Sequence, residues 1–232
     1  MAPVYQAGVR VLAVQGNHET SVPGSAKVWN RVFSGPYAMP ANGPAGAEGI
    51  TYAASHRDVL VLALDQTHRR VDLAWVTAQL AAAKAPHRFA MGHYPAFKVL
   101  HQDNLDDDAQ HRDAFWRALG RGGVRVYFAG HDHFFDHARI DDGDGSAAND
   151  LHQLILGGGG APLYSDGAYD GENGSYAPRR VAHDEAHGYA VVELDGAKVT
   201  ITWKRRVAPG VFRGEGAPFT YEVQPAAAPT TQ

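Results

Sequence analysis

Val124-Arg125-Val126-Tyr127-Phe128-Ala129-Gly130-His131-Asp132-His133 is an apolar, β-rich run that ends on a glycine and two histidines. The Val, Tyr and Phe content predicts a strand, and Gly130 predicts a sharp turn off its end. Residues two apart on an extended chain project to one side, so His131 and His133 are expected to face a common space. The same construction occurs twice upstream. His87 to Met91 reads as a strand ending at Gly92-His93-Tyr94-Pro95. Val9-Arg10-Val11-Leu12-Ala13-Val14 reads as a short buried strand ending at Gly16-Asn17-His18-Glu19. In open α/β sheets ligands bind beyond the carboxyl ends of the strands, so three such turns predict one shared cleft.

Outward from these turns, Asp58 to Leu64 is an apolar run of the kind buried on both faces of a sheet. Residues 71–84 are expected to be helical, with Val71, Trp75, Ala78 and Ala82 on one stripe and Pro86 closing the segment. A second helix is expected from about Asp108 to Leu119, stopped by Gly120, Gly122 and Gly123. Residues 20–50, rich in Pro, Gly and Ala, read as a long ordered loop with a helical turn near Lys27 to Asn30 and anchors at Trp29, Phe33 and Tyr37. After His133 the pattern changes to strands without helices, at about 136–141, 151–157, 187–195 and 198–206. Alternating strand and helix followed by a run of strands predicts an α/β class fold, a layered α/β/β/α sandwich with mixed sheets. One domain is expected over residues 1–223, with a disordered Pro/Ala/Thr-rich tail over 224–232.

The 232 residues suffice for one such domain with a real core. A net charge of -4 and a pI near 6.3 speak against non-specific binding to nucleic acid or an anionic membrane. No apolar run approaches the length that crosses a bilayer. With no cysteine, disulfides, thiolate metal sites and a cysteine nucleophile are excluded, and any metal must be held by nitrogen and oxygen. The first residues show no basic region followed by an apolar core, and the compartment stays open. Histidine is over-represented at 13 residues, several of them beside Gly, Asp or Asn rather than on an apolar face. Imidazole nitrogens and an amide oxygen suit divalent first-row ions such as Mn, Fe, Co, Ni or Zn.

These turns resemble three of the five signature blocks of the calcineurin-like metallophosphoesterases, in that family's order. The resemblance implies metal-dependent hydrolysis of a phosphate ester at a binuclear site, with Mn, Fe or Zn the expected ions. Residue by residue, it implies that Asn17, His93 and His131 bind one ion and His133 the other. His18, next to the asparagine, is implied as general acid or phosphate contact. The stretch Trp29 to Leu64 with Phe33-Ser34-Gly35-Pro36-Tyr37, the strand ending at Asp65, Leu73-Ala74-Trp75-Val76 and Leu156-Gly157-Gly158-Gly159-Gly160-Ala161 are similar to the purple acid phosphatase branch. The resemblance spans about residues 4 to 205.

The sequence departs from the pattern at its start. The family's Asp-x-His and Gly-Asp-x-x-Asp blocks precede the asparagine block, whereas no Asp or Glu stands before Glu19 here. The expectation is an N-terminally truncated reading that lacks the first strand-helix unit, leaving one metal position incomplete and a sheet edge exposed, where a complementing segment would pair. The alternative is a non-catalytic remnant that binds at most one metal or a partner chain. His131 to His137 also comes within one residue of the H-x-H-x-D-H block of metallo-β-lactamase-like hydrolases, but that reading leaves Asn17 and His93 unexplained. Asp141 to Gly145 reads as a hairpin turn, Gly157 to Gly160 as a strand-end turn, and His101, His183 and His187 as surface histidines, with a place lining the cleft as the alternative.

Overall fold

The computed structural model describes residues 2–66, 68–165, 167–171 and 173–223. Helices α1 (Ala2–Gln6), α2 (Asn17–Thr20) and α3 (Ser25–Val32) precede strands β1 (Tyr52–His56) and β2 (Val59–Ala63). Then come α4 (Leu73–Ala82), β3 (His87–Met91), α5 (Ala109–Arg121) and β4 (Val126–Ala129). The remaining elements are all strands: β5 (Phe135–Asp141), β6 (Leu151–Leu156), β7 (Ala177–Asp184), β8 (Gly188–Asp195), β9 (Lys198–Ala208), β10 (Val211–Gly214) and β11 (Phe219–Glu222).

Seven strands form one mixed sheet in the order β1-β2-β3-β4-β6-β5-β7. Its centre, β2-β3-β4-β6, is parallel, while β1, β5 and β7 run antiparallel to their neighbours. The second sheet is antiparallel, with β8, β10 and β11 all pairing with β9. The pleat divides the central strands between two cores. Leu60, Leu62, Ala90 and Tyr127 pack with Val76 and Leu80 of α4 and Phe115, Trp116 and Leu119 of α5. On the opposite face Phe89, Val126 and Leu154 meet Val199 and Ile201 of β9. Each fully buried Leu or Phe contributes about 1.5–3 kcal/mol, so a strand apolar on both faces ties both layers together.

Both long helices begin on an aspartate that satisfies a free N–H. Asp72 accepts from Trp75 N at 2.8 Å and Asp108 from His111 N at 3.0 Å. The stripe expected on the first helix is corrected. Val76 and Leu80 are its buried residues, because Ala78 and Ala82 face water and the Trp75 indole turns aside to donate to Asn42 O at 3.0 Å. Tyr37, expected as an anchor, is exposed, while Trp29 is buried and Phe33 packs against its cluster.

The strand expected at residues 9–14 does not form. Leu12, Ala13 and Val14 lie against the cluster of Trp29, Met39, Tyr52, Ala54 and Ala63, and Tyr52 Oη donates to Ala13 O at 2.7 Å. Among the described residues no neighbouring chain supplies a ladder, and β-rich side chains make no strand without one. Strands β1, β7, β10 and β11 were not legible in sequence: β1 is Tyr-Ala-Ala-Ser-His and β7 carries Arg179, Arg180 and His183. Pairing with β2 and β5 makes them strands, not an apolar alternation of their own. The tail expected at 224–232 lies outside the described residues.

Candidate metal centre

Strands β3 and β4 are adjacent and parallel, so their carboxyl ends deliver His93 and His131 to the same edge of the sheet. Gly92 N donates to Phe128 O at 3.0 Å and Gly130 N to His93 O at 2.9 Å, which ties the two turns together. Below them lies a buried polar knot. Gln66 Nε2 donates to Tyr127 Oη at 2.7 Å, Tyr127 Oη to Tyr94 O at 2.7 Å, and Tyr94 N to Gln66 Oε1 at 2.8 Å. A side chain at position 92 would collide with this knot, which explains its glycine. Gln153, fully buried on β6, accepts from Ala96 N and Phe97 N at 2.7 and 2.9 Å and fixes the chain that follows.

His131 has φ 68°, left-handed for a residue with a Cβ, and Asp132 N donates to Gly130 O at 2.8 Å across it. Such backbone costs about 1–3 kcal/mol and persists only where its surroundings over-determine it. Here those surroundings are the two neighbouring turns and a loop over residues 98–104.

Three donor atoms converge. His93 Nε2 lies 2.8 Å from Asn17 Oδ1 and 3.1 Å from His131 Nδ1. Asn17 opens α2, and Gly16 before it has no Cβ, which would stand 2.7 Å from the His93 ring. Burial pushes the His93 imidazole down to about 4, assisted by the charges of His131, His18 and His133 and opposed by Asp103. It is therefore neutral at pH 7, the form that ligates. Two imidazole nitrogens and an amide oxygen, with His93 Nε2 within hydrogen-bonding distance of the other two, fit a divalent first-row ion.

The other two expected site residues stand beside this point. His133 Nδ1 faces Pro162 O at 2.8 Å and its ring stacks on Tyr164, centroids 4.3 Å apart and 7° from parallel. That carbonyl fixes the tautomer and leaves Nε2 to face a ligand. His18 is exposed on α2 and reaches the centre only through its charge on His93.

The sequence favours the surface over the cleft for His101, and the structure places it in the cleft. Its Nδ1 lies 2.5 Å from Oδ1 of buried Asp132, and its ring is 4.7 Å from that of His131 and 4.9 Å from Tyr164. His101, His131 and Asp132 form a cluster whose ligand atoms lie within 4.8 Å of one another. The Asp132 carboxylate is already engaged, accepting from Leu100 N and His101 N as well as the ring. We therefore read it as the partner that orients His101, with Nε2 turned to the cleft. Asp103 of the same loop accepts from His131 Nε2 at 2.9 Å. Burial raises the Asp103 carboxyl, but the hydrogen bond and charge of His131 outweigh this and hold it below the usual range. No sequence period marks His101, Asp103, Asp132 or Tyr164, because loop closure alone brings them together.

A sequence model of the calcineurin-like phosphoesterases matches residues 1–135, more than half of the chain and the whole of this centre except the loop bearing Tyr164. The chain belongs to the calcineurin-like phosphoesterase family. The chain is 24% identical over 146 residues to tartrate-resistant acid phosphatase type 5 of Homo sapiens, covering 62% of its own length and 42% of that protein. The Rattus norvegicus protein of the same name matches equally, with 41% of its length covered. The chain thus spans less than half the length of these curated relatives. Its fold is that of purple acid phosphatase PPD1 from yellow lupin (Lupinus luteus) seeds, with a TM-score of 0.66 at 14% identity over 92% of this chain and 41% of that one. A solved PhoD superimposes with a TM-score of 0.55 at 9% identity, over 84% of this chain and 46% of that chain. The expected layered α/β fold and purple acid phosphatase resemblance are both borne out.

Proposed function

We propose that this phosphoesterase hydrolyses phosphate esters at a divalent-metal centre built on Asn17, His93 and His131. The observation that carries the reading is the convergence of Asn17 Oδ1, His93 Nε2 and His131 Nδ1 around one point. A divalent ion bound there supplies Lewis-acid stabilisation of charge on a phosphoryl group. His133, with Nε2 free of the Pro162 carbonyl, is the expected ligand of a second position. The carboxylates implied for that position are not among residues 1–18, which hold no Asp or Glu. Without them two cations close together lack the negative charge that offsets their repulsion. We assign one ion to the position that Asn17, His93 and His131 define.

The chain's own residues set the proton chemistry. His18 stands exposed at the rim, where its imidazolium holds a phosphate oxygen or protonates the leaving alcohol. His101 is a second candidate for the same step, because Asp132 engages its Nδ1 and orients the ring. Ligation requires neutral His93, and its burial holds it so down to about pH 4.

Titration of the purified chain with Mn²⁺ or Zn²⁺ by calorimetry tests the reading. We expect about one equivalent, lost in Asn17→Ala and His93→Ala, and weak metal-dependent p-nitrophenyl phosphate hydrolysis that is lost with it. Metal binding that survives both substitutions would overturn the ligand assignment. Two equivalents with robust turnover would overturn the one-ion assignment, whereas stoichiometric metal without turnover favours a metal-binding, non-catalytic chain.

A further inference from the structure

We propose that Asp103 is the positioning residue of this centre: its carboxylate locks His131 as the Nε2–H tautomer and so presents the Nδ1 lone pair to a cation. The inference rests on the metal-binding reading above and goes beyond it by assigning a role to a loop residue outside the ligand set.

The two nitrogens of His131 face opposite demands. Nδ1 points at His93 Nε2, 3.1 Å away, and Nε2 at Asp103 Oδ1, 2.9 Å away. An ionised carboxylate only accepts, so the proton of a neutral His131 must sit on Nε2. The lone pair is then on Nδ1, directed at His93. The ring cannot easily turn to another arrangement, being flanked by the rings of Tyr94 at 4.8 Å and His101 at 4.7 Å.

The loop that carries Asp103 is clasped to the same turn twice. His101 pairs with Asp132 while Asp103 pairs with His131, so two loop residues, two positions apart, grip consecutive residues of the turn. Buried Asn104 holds the loop from within, donating to His101 O at 2.7 Å and Gln102 O at 3.0 Å, while its Oδ1 accepts from Asp106 N at 2.7 Å. Asp103 itself is 40% exposed on its side chain, so it is free of the packing duties that would confuse its removal.

His93 behaves differently. Its Nε2 faces two acceptors, Asn17 Oδ1 and His131 Nδ1, so without a cation it carries the proton that joins them. Ligation through Nε2 would require His93 to carry its proton on Nδ1 instead. One histidine is thus preset by Asp103 and the other must switch. Carboxylates that hold a ligating imidazole in this way change metal affinity by about 10–100-fold.

The test combines ¹⁵N NMR of the histidine rings in the metal-free chain with Zn²⁺ titration, for the wild type, Asp103→Ala and Asp103→Asn. The wild type should show His131 protonated on Nε2, and Asp103→Ala should mix the tautomers and weaken Zn²⁺ about 10–100-fold, with an unchanged circular dichroism spectrum. Asp103→Asn keeps an acceptor and should fall between them. His131 protonated on Nδ1 in the wild type, or wild-type Zn²⁺ affinity in Asp103→Ala, overturns the assignment. If the wild type binds no Zn²⁺ yet shows the Nε2–H tautomer and loses it in Asp103→Ala, the metal reading fails and the positioning role stands.

Discussion

Replacing Tyr127 by Phe removes one oxygen from a buried polar knot and should loosen the candidate centre above it. Tyr127 is fully buried, and its hydroxyl accepts from Gln66 Nε2 and donates to Tyr94 O, both at 2.7 Å. The ring keeps its edge contacts with Phe115 and Trp116, so Tyr127→Phe opens almost no cavity. What it leaves are two buried groups, an amide N–H and a backbone carbonyl, without their partner. Each costs about 1–3 kcal/mol, so the sum is about 3 kcal/mol after partial relaxation. For a chain of this size that lowers Tm by about 6–12 °C. Because Tyr94 follows His93 directly, the same change frees the His93 turn, and Zn²⁺ affinity should fall about tenfold. Differential scanning calorimetry of the metal-free chain, followed by Zn²⁺ titration, measures both effects. A Tm lowered by less than about 2 °C would refute the claim that this oxygen is required in the core. A large Tm loss with wild-type affinity would refute the link from the knot to His93.

Gly16→Ala should act on the centre without unfolding the protein. Position 16 has φ -112°, open to any residue, but the new Cβ would stand 2.7 Å from the His93 ring, so Zn²⁺ affinity should drop at least about tenfold at nearly unchanged Tm. Between the sheets, His137 Nε2 and His152 Nδ1 lie 2.8 Å apart under Phe219, and burial pushes the two imidazoles down to about 4 and about 3. The unfolded chain takes up these protons first as pH falls below the ordinary 6.5, so stability present at pH 7.5 declines from there toward pH 4. At pH 5 the loss is about 2 kcal/mol per histidine, about 4 kcal/mol for the pair. Urea titrations at pH 7.5 and pH 5 should show that loss in the wild type and lack it in His137→Leu/His152→Leu; equal losses in both would exclude this pair as its source. Tyr164→Ala should release His133 from its stacked position and cut any hydrolysis of p-nitrophenyl phosphate that the wild type shows, leaving the one-ion Zn²⁺ affinity within about twofold because Tyr164 touches none of its three ligands.

The amino-acid sequence by itself marked the turns that carry the candidate ligands Asn17, His93 and His131. A β-rich run, a glycine and a histidine or asparagine are local signals, and Gly16, Gly92 and Gly130 mark the places where the backbone must leave a strand or pass close to a ring. It likewise determined the two capped helices and the apolar central strands, whose side chains are driven into one core or the other whatever their partners. The rest was decided by tertiary structure. Residues 9–14 have the side chains of a strand but no chain beside them to complete a ladder, while β1 and β7 have poor strand sequences and a neighbour that makes them strands. His101 and Asp103 looked like ordinary loop residues because their partners, Asp132 and His131, lie about thirty positions away, 31 and 28 in fact. Hydrogen bonds across such a span leave no periodic trace in the sequence, since they depend on where a loop closes rather than on which residues are adjacent.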